Sequence, residues 1–145
     1  MADPTSDDDV LTPRLGYLLK RAYAGLAEEI GKALQPLGID GRELAVLVLL
    51  NATDTPLSQL DAAQRLGIDR TTMTSFVDGL EDKGLVTRRR SVDDRRKNII
   101  ELTATGDERL IAAERLRAAA ESRFLAPLGA ARHEALLDAL RTLTL

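Results

Sequence analysis

The stretch from Ser58 to Leu102 constrains the fold more than any other part of the chain. Ser58-Gln59-Leu60-Asp61 opens a short helix that stops at Leu66, and Gly67 stands where a left-handed C-cap is needed. After Ile68, Asp69 caps a second helix from about Arg70 to Lys83, which Gly84 ends. The texture then changes. Leu85-Val86-Thr87-Arg88-Arg89-Arg90 and Asn98-Ile99-Ile100-Glu101-Leu102 predict two short strands around a polar, charged tip at 91–97. Two short helices joined by Gly67-Ile68-Asp69 and followed by a basic β-hairpin form a helix-turn-helix with a wing.

Helices are expected on both sides of this unit. Thr12-Pro13 reads as an N-cap followed by proline at the first helical position, and Leu15, Leu18, Leu19, Ala22, Leu26, Ile30 and Leu34 then recur at helical spacing. Pro36 and Gly38 close that helix. Asp40-Gly41-Arg42-Glu43 has the capping-box pattern. The helix it starts runs to about Leu50 and is nearly all apolar from Leu44, which places it centrally. Thr103 caps a long helix over about 104–125, Pro127 and Gly129 break it, and a last helix carries Leu136, Leu137, Leu140 and Leu143. The fold class expected is mainly α with a small β-hairpin wing. Residues 1–10 are expected as a disordered acidic tail and 11–145 as a single domain. In it, a winged helix-turn-helix over about 40–102 lies between helices at about 12–35 and 104–145.

Composition narrows the function. At 145 residues with 44% hydrophobic and 30% charged residues, the chain is one domain's worth of globular protein. It has no cysteine, which excludes disulfides, thiolate metal sites and thiol-based redox sensing. The longest apolar run, Leu44 to Leu50, is far too short for a membrane span, and the N-terminus lacks a basic-then-apolar signal. A cytoplasmic location is the expectation, with no membrane partner, no metal and no cofactor. The formal net charge of −3 speaks at first against nucleic acid, but its distribution matters more. Asp3, Asp7, Asp8 and Asp9 account for the negative balance, whereas 88–97 holds five Arg and one Lys against Asp93 and Asp94.

These charges give each part of the unit a task. In a helix-turn-helix the second helix enters the major groove and applies its N-terminal side chains to base edges. Met73, Phe76, Val77 and Leu80 fall on one stripe of that helix and should pack inward. Thr71, Ser75 and Asp78 point the other way, flanked by Arg70, Thr72 and Thr74. Small hydroxyl side chains allow close approach and bond either bases or phosphates. Asp78, Glu81 and Asp82 would repel phosphate, which confines contact to the first two turns. Each Lys or Arg near a phosphate releases counterions. Arg95, at the hairpin tip, is placed to reach into a minor groove. Ser58, Arg88, Arg90, Arg96 and Lys97 complete the expected DNA-binding set, and Asp94 is expected to pair with a nearby arginine and hold the tip in shape. Taken singly, the helix also reads as an ordinary amphipathic surface helix and the basic hairpin as a solubilising one. Their order along the chain favours the joint reading.

Leu85-Val86-Thr87-Arg88, Asp94-Arg95-Arg96 and Leu102-Thr103-Ala104-Thr105-Gly106 resemble the signature of the MarR family of bacterial transcriptional regulators. Asp69-Arg70-Thr71-Thr72-Met73-Thr74 and Leu80-Glu81-Asp82-Lys83-Gly84-Leu85 are similar to that family's recognition helix and its exit. The resemblance implies a homodimer whose N- and C-terminal helices interlock, with two winged lobes on successive major grooves of a pseudo-palindromic site. Leu136, Leu137, Leu140, Leu143 and Leu145, more apolar surface than one small domain readily covers, agree with such an interface; the bland alternative is packing within one chain. The resemblance also implies a repressor released by a small ligand, often aromatic or phenolic, in a crevice between dimer helices and winged lobe. Tyr17 and Tyr23 on the first helix are candidates to line it, with interface packing as their other reading. A hinge-like break is expected from Leu102-Thr103 into the next helix. The urate-responsive subgroup is expected to carry a Trp on its first helix, which this chain lacks.

Two other function classes fit less well. The single His133 lies beside Glu134 with Leu137 where a zinc protease would need its second histidine, and no Gly-rich phosphate loop or nucleophile–histidine set accompanies it. No catalytic residue is therefore expected. A winged-helix module that binds protein is disfavoured by the arginine-rich wing.

Overall fold

The computed structural model describes residues 10–145; the expected acidic tail lies, Val10 apart, outside the described residues. The elements run α1 (Leu15–Leu34), a 3-10 turn (Gln35–Leu37), α2 (Gly41–Asn51), β1 (Leu57–Ser58), α3 (Gln59–Leu66), α4 (Arg70–Asp82), β2 (Val86–Arg90), β3 (Asn98–Leu102), α5 (Ala104–Leu125), a 3-10 turn (Ala126–Leu128) and α6 (Gly129–Thr144). Among the described residues no helix is long and apolar enough to cross a membrane. The chain divides into two compact units: Leu34–Arg117, and the described residues through Ala33 together with Ala118–Leu145.

Capping chemistry sets the helix boundaries in the first unit. Asp40 accepts from the Arg42 and Glu43 amides at 2.9 and 2.8 Å, and Glu43 accepts from the Asp40 amide at 3.0 Å, so the expected capping box is closed at the start of α2. Gly67 ends α3 at φ 65°, where a side chain would be strained, and Ile68 N–H returns to the Ala63 carbonyl at 3.0 Å. Leu44, Val46, Leu47, Met73, Val77, Leu80, Leu85, Val86 and Ile100 are all buried, forming a core beneath α4 and the sheet. Full burial of each such side chain stabilises by roughly 1.5–3 kcal/mol.

The sheet holds one strand more than expected. Its order is β1-β3-β2, all antiparallel, with Leu57 opposite Ile100 and Ser58 opposite Ile99. A two-residue strand is too short to show alternation, so nothing in its sequence marks it as one.

Two sequence expectations change here. Arg14, rather than Thr12, stands at the start of α1: its carbonyl takes the Leu18 amide at 3.1 Å, and Pro13 lies in a turn closed by Arg14 N–H to the Leu11 carbonyl. The expected hinge at Leu102-Thr103 is instead a clamp. Thr103 N–H donates to the Leu85 carbonyl at 3.1 Å, its hydroxyl donates to the Gly84 carbonyl at 2.6 Å, and the same hydroxyl accepts from the Gly106 amide at 2.9 Å. The Leu-Thr-x-x-Gly segment thus ties the root of the hairpin to the first turn of α5. The Arg109 guanidinium, on the next turn, donates to the Leu37 carbonyl.

In the second unit, Gly25 of α1 lies against Phe124 of α5; a Cβ there would stand 3.1 Å from its ring. Much apolar surface remains open on these helices in a single copy, including Leu15, Leu18, Leu19, Leu136 and Leu143.

Candidate nucleic-acid interface

The helix expected to read DNA is held by one face only. Met73, Val77 and Leu80 are fully buried, while Arg70, Thr71, Thr74, Ser75 and Asp78 are exposed. Asp69 caps the helix, accepting from the Thr72 amide at 2.9 Å and from the Thr72 hydroxyl at 2.6 Å. The Thr74 hydroxyl donates to the Arg70 carbonyl at 2.9 Å and accepts from Gln59 Nε2 at 2.8 Å. Thr72 and Thr74 therefore spend their hydroxyl donors inside the protein. Arg70, Thr71 and Ser75 make no side-chain hydrogen bond or ion pair among the described residues.

Ser58 is not on the surface. It is 3% exposed, its hydroxyl donates to Asp61 Oδ2 at 2.6 Å, and it caps α3 by accepting the Asp61 amide. Its assignment as a DNA contact is corrected to a cap. Arg88 is likewise turned inward, its side chain only 22% exposed and bonded to Asp78, Glu81 and Gln59.

The wing tip is built by local hydrogen bonds. The Ser91 hydroxyl accepts from the Asp93 and Asp94 amides at 3.2 and 3.3 Å, and Lys97 N–H returns to the Asp94 carbonyl. Asp94 takes the Arg96 amide at 3.0 Å and Arg96 Nε at 3.2 Å, the local pairing expected of it. Arg90 donates to the Arg95 carbonyl at 2.8 Å, which braces the tip from below. The Arg96 side chain nonetheless stays 92% exposed, and Arg95 and Lys97 are exposed with no ion pair among the described residues. The tip thus presents cations on a frame of fixed backbone.

The start of α4 and the wing tip border one cleft. A shallow cleft of about 80 Å³ is lined by Arg70 and Met73 of α4, Ser58 to Leu60 at the start of α3, and Arg96, Lys97 and Asn98 of the wing. Three cations from two separate elements therefore border one recess beside the exposed face of α4. Positive charge gathered in a concave site strengthens its potential toward an anionic polymer.

Three carboxylates hold this surface in shape, and all titrate below the ordinary aspartate value of 3.8. The Ser58 hydroxyl bonded to Asp61 lowers that group, the Thr72 hydroxyl and amide lower Asp69, and the Arg96 amide and guanidinium lower Asp94. A carboxyl depressed by folding stabilises fully above its unfolded value and loses that contribution as pH falls through the folded one. The urea midpoint should therefore hold from about pH 7 to about pH 5 and decline below about pH 4. A midpoint constant down to about pH 2 would show that these contacts do not stabilise the fold.

Sequence reasoning missed Gln59, whose amide joins α3 to both Thr74 and Arg88 across 15 and 29 residues. Its only sequence signal is its place just after the α3 cap. Tyr17 and Tyr23 lie in the other unit, on α1. Tyr17 is half-buried with the Arg21 guanidinium 5.8 Å from its ring centre, and Tyr23 is 73% exposed.

Comparison with known proteins agrees with this geometry. Residues 37–97 match the model of the MarR family. The chain is 37% identical over 116 residues to the HTH-type transcriptional repressor Rv2887 of Mycobacterium tuberculosis, covering 80% of this chain and 83% of that protein. The transcriptional repressor CouR bound to a 23-mer DNA duplex superposes with a TM-score of 0.88 at 34% identity, over 99% of this chain and 100% of that one. CouR bound to p-coumaroyl-CoA gives 0.82 at 32% identity over 97% of each chain. These relatives are regulators, not enzymes. The chain belongs to the MarR family of DNA-binding transcriptional regulators.

Proposed function

We propose that the chain is a homodimeric repressor that grips a pseudo-palindromic operator and lets go when an aromatic effector binds. The cleft shared by Arg70, Arg96 and Lys97 carries the DNA part of this reading. It puts the open face of α4 and the basic wing on one surface. In that reading α4 enters the major groove, with Arg70, Thr71 and Ser75 toward bases and phosphates, while Arg95, Arg96 and Lys97 follow the adjoining backbone and minor groove. The exposed leucines of α1 and α6 form the contact between two copies, and each copy brings one such surface to one half of the pseudo-palindromic site. As a repressor it works in the cytoplasm, where the DNA is.

Arg95→Ala tests the electrostatic part. It should weaken binding to every duplex and flatten the salt dependence of log K by about one unit. Unchanged affinity and slope would remove Arg95 from the interface.

CouR's structure with p-coumaroyl-CoA supports an aromatic acyl group as the effector class, with Tyr17 and Tyr23 as candidate lining residues. An effector must favour the conformation that misfits DNA to cause release. A panel of p-coumaroyl-CoA, p-coumarate and simple phenols should include one compound that lowers operator affinity. Full affinity across the panel would take away the effector part and leave the DNA part standing.

A further inference from the structure

Arg88 has the residue type and the strand position of a DNA contact, yet its guanidinium is already occupied. Nε donates to Gln59 Oε1 at 3.1 Å, Nη1 to Glu81 Oε1 at 3.3 Å, and Nη2 to Asp78 Oδ1 at 2.5 Å and to the Thr74 carbonyl at 3.4 Å. Its own amide donates to Glu81 Oε2 at 3.1 Å. Few donors remain for a phosphate, and the side chain is 22% exposed.

Its partners explain the cost of losing it. Asp78 continues the stripe of Thr71 and Ser75 at helical spacing, and Glu81 follows on the next turn. Their carboxylates are 55% and 42% exposed, within reach of any backbone that lies along α4. Two unmasked negative charges there would repel any phosphate that came within a Debye length, about 8 Å at physiological salt, where like charges are little screened.

We infer that Arg88 is a positioning residue that masks Asp78 and Glu81 and, through Gln59 and Thr74, fixes the N-terminal half of α4 for DNA. This inference rests on α4 being the reading helix. It assigns Arg88 a role different in kind from Arg95: Arg95 attracts the polymer, whereas Arg88 removes a repulsion.

Charge compensation separates the roles. Fluorescence anisotropy with a labelled random-sequence duplex long enough for two half-sites would be run on wild type, Arg88→Ala, Asp78→Asn and the Arg88→Ala/Asp78→Asn pair, each checked for folding by thermal melting. Arg88→Ala should bind about tenfold more weakly. Asp78→Asn should bind as tightly as wild type or more so. The pair, with the local charge of wild type restored, should return to within about threefold of wild type. Its melting temperature should stay near that of Arg88→Ala, because the hydrogen bond from Arg88 to Asp78 is already lost in the single variant. A pair as weak as Arg88→Ala would overturn masking and point to direct contact or scaffolding. Binding absent in wild type would instead overturn the DNA-binding reading, and this inference with it.

Discussion

Gly106→Ala is expected to lower stability by about 1–3 kcal/mol, and to weaken DNA binding with it. Alanine is ordinarily the better helix residue by about 1 kcal/mol, so on propensity alone the sign would be opposite. Space decides it. A Cβ at position 106 would stand 2.1 Å from the Leu85 carbonyl oxygen, 3.0 Å from its carbon and 3.2 Å from a Leu102 methyl. The obstacle is backbone, and Thr103 N–H fixes that same carbonyl. Relief requires the first turn of α5 to move away from the hairpin root, which breaks the Thr103 clamp and tilts the wing. Urea unfolding reads the first effect and duplex titration the second. A variant as stable as wild type would mean that the junction is loose enough to hinge.

Leu80→Ala is expected to cost about 2–5 kcal/mol, the range for emptying a close-packed leucine site. Leu80 is fully buried beside Met73 and Val77, and this apolar stripe is what attaches α4 to the rest of its unit. Its carbonyl also accepts the Leu85 amide at 2.9 Å, where helix passes into strand. Ser75→Ala, on the opposite face, should shift stability by no more than about 0.5 kcal/mol while costing about 1–3 kcal/mol on the cognate site against random DNA. A Ser75 variant that lost affinity equally on both would assign that hydroxyl to the backbone.

Much of the fold was legible because local chemistry sets it. Asp40, Asp69 and Thr103 are caps whose partners lie within three residues, so their side-chain oxygens announce helix starts directly. Gly67 is legible for the same reason, as a turn that needs a positive φ. What stayed hidden depends on distant residues. β1 exists only because Ile99 and Ile100 offer it an edge. Arg88 reads as one more cation in a basic run until the fold brings Asp78 and Glu81 to it from the preceding helix. Ser58 reads as a small polar residue at a helix start, which it is; that the start lies beneath the surface is a tertiary fact. The candidate site was therefore legible as a region, and the division between residues that face outward and residues that brace it was not.

The central claim is that the open face of α4 and the wing tip engage DNA together. Amide hydrogen exchange of the full chain, measured with and without a saturating duplex, tests it peptide by peptide. Slowed exchange over about 59–76 and 91–97, weakened by Arg95→Ala, is the expected result. Protection confined to α1 and α6, with the helix and wing unchanged, would contradict it.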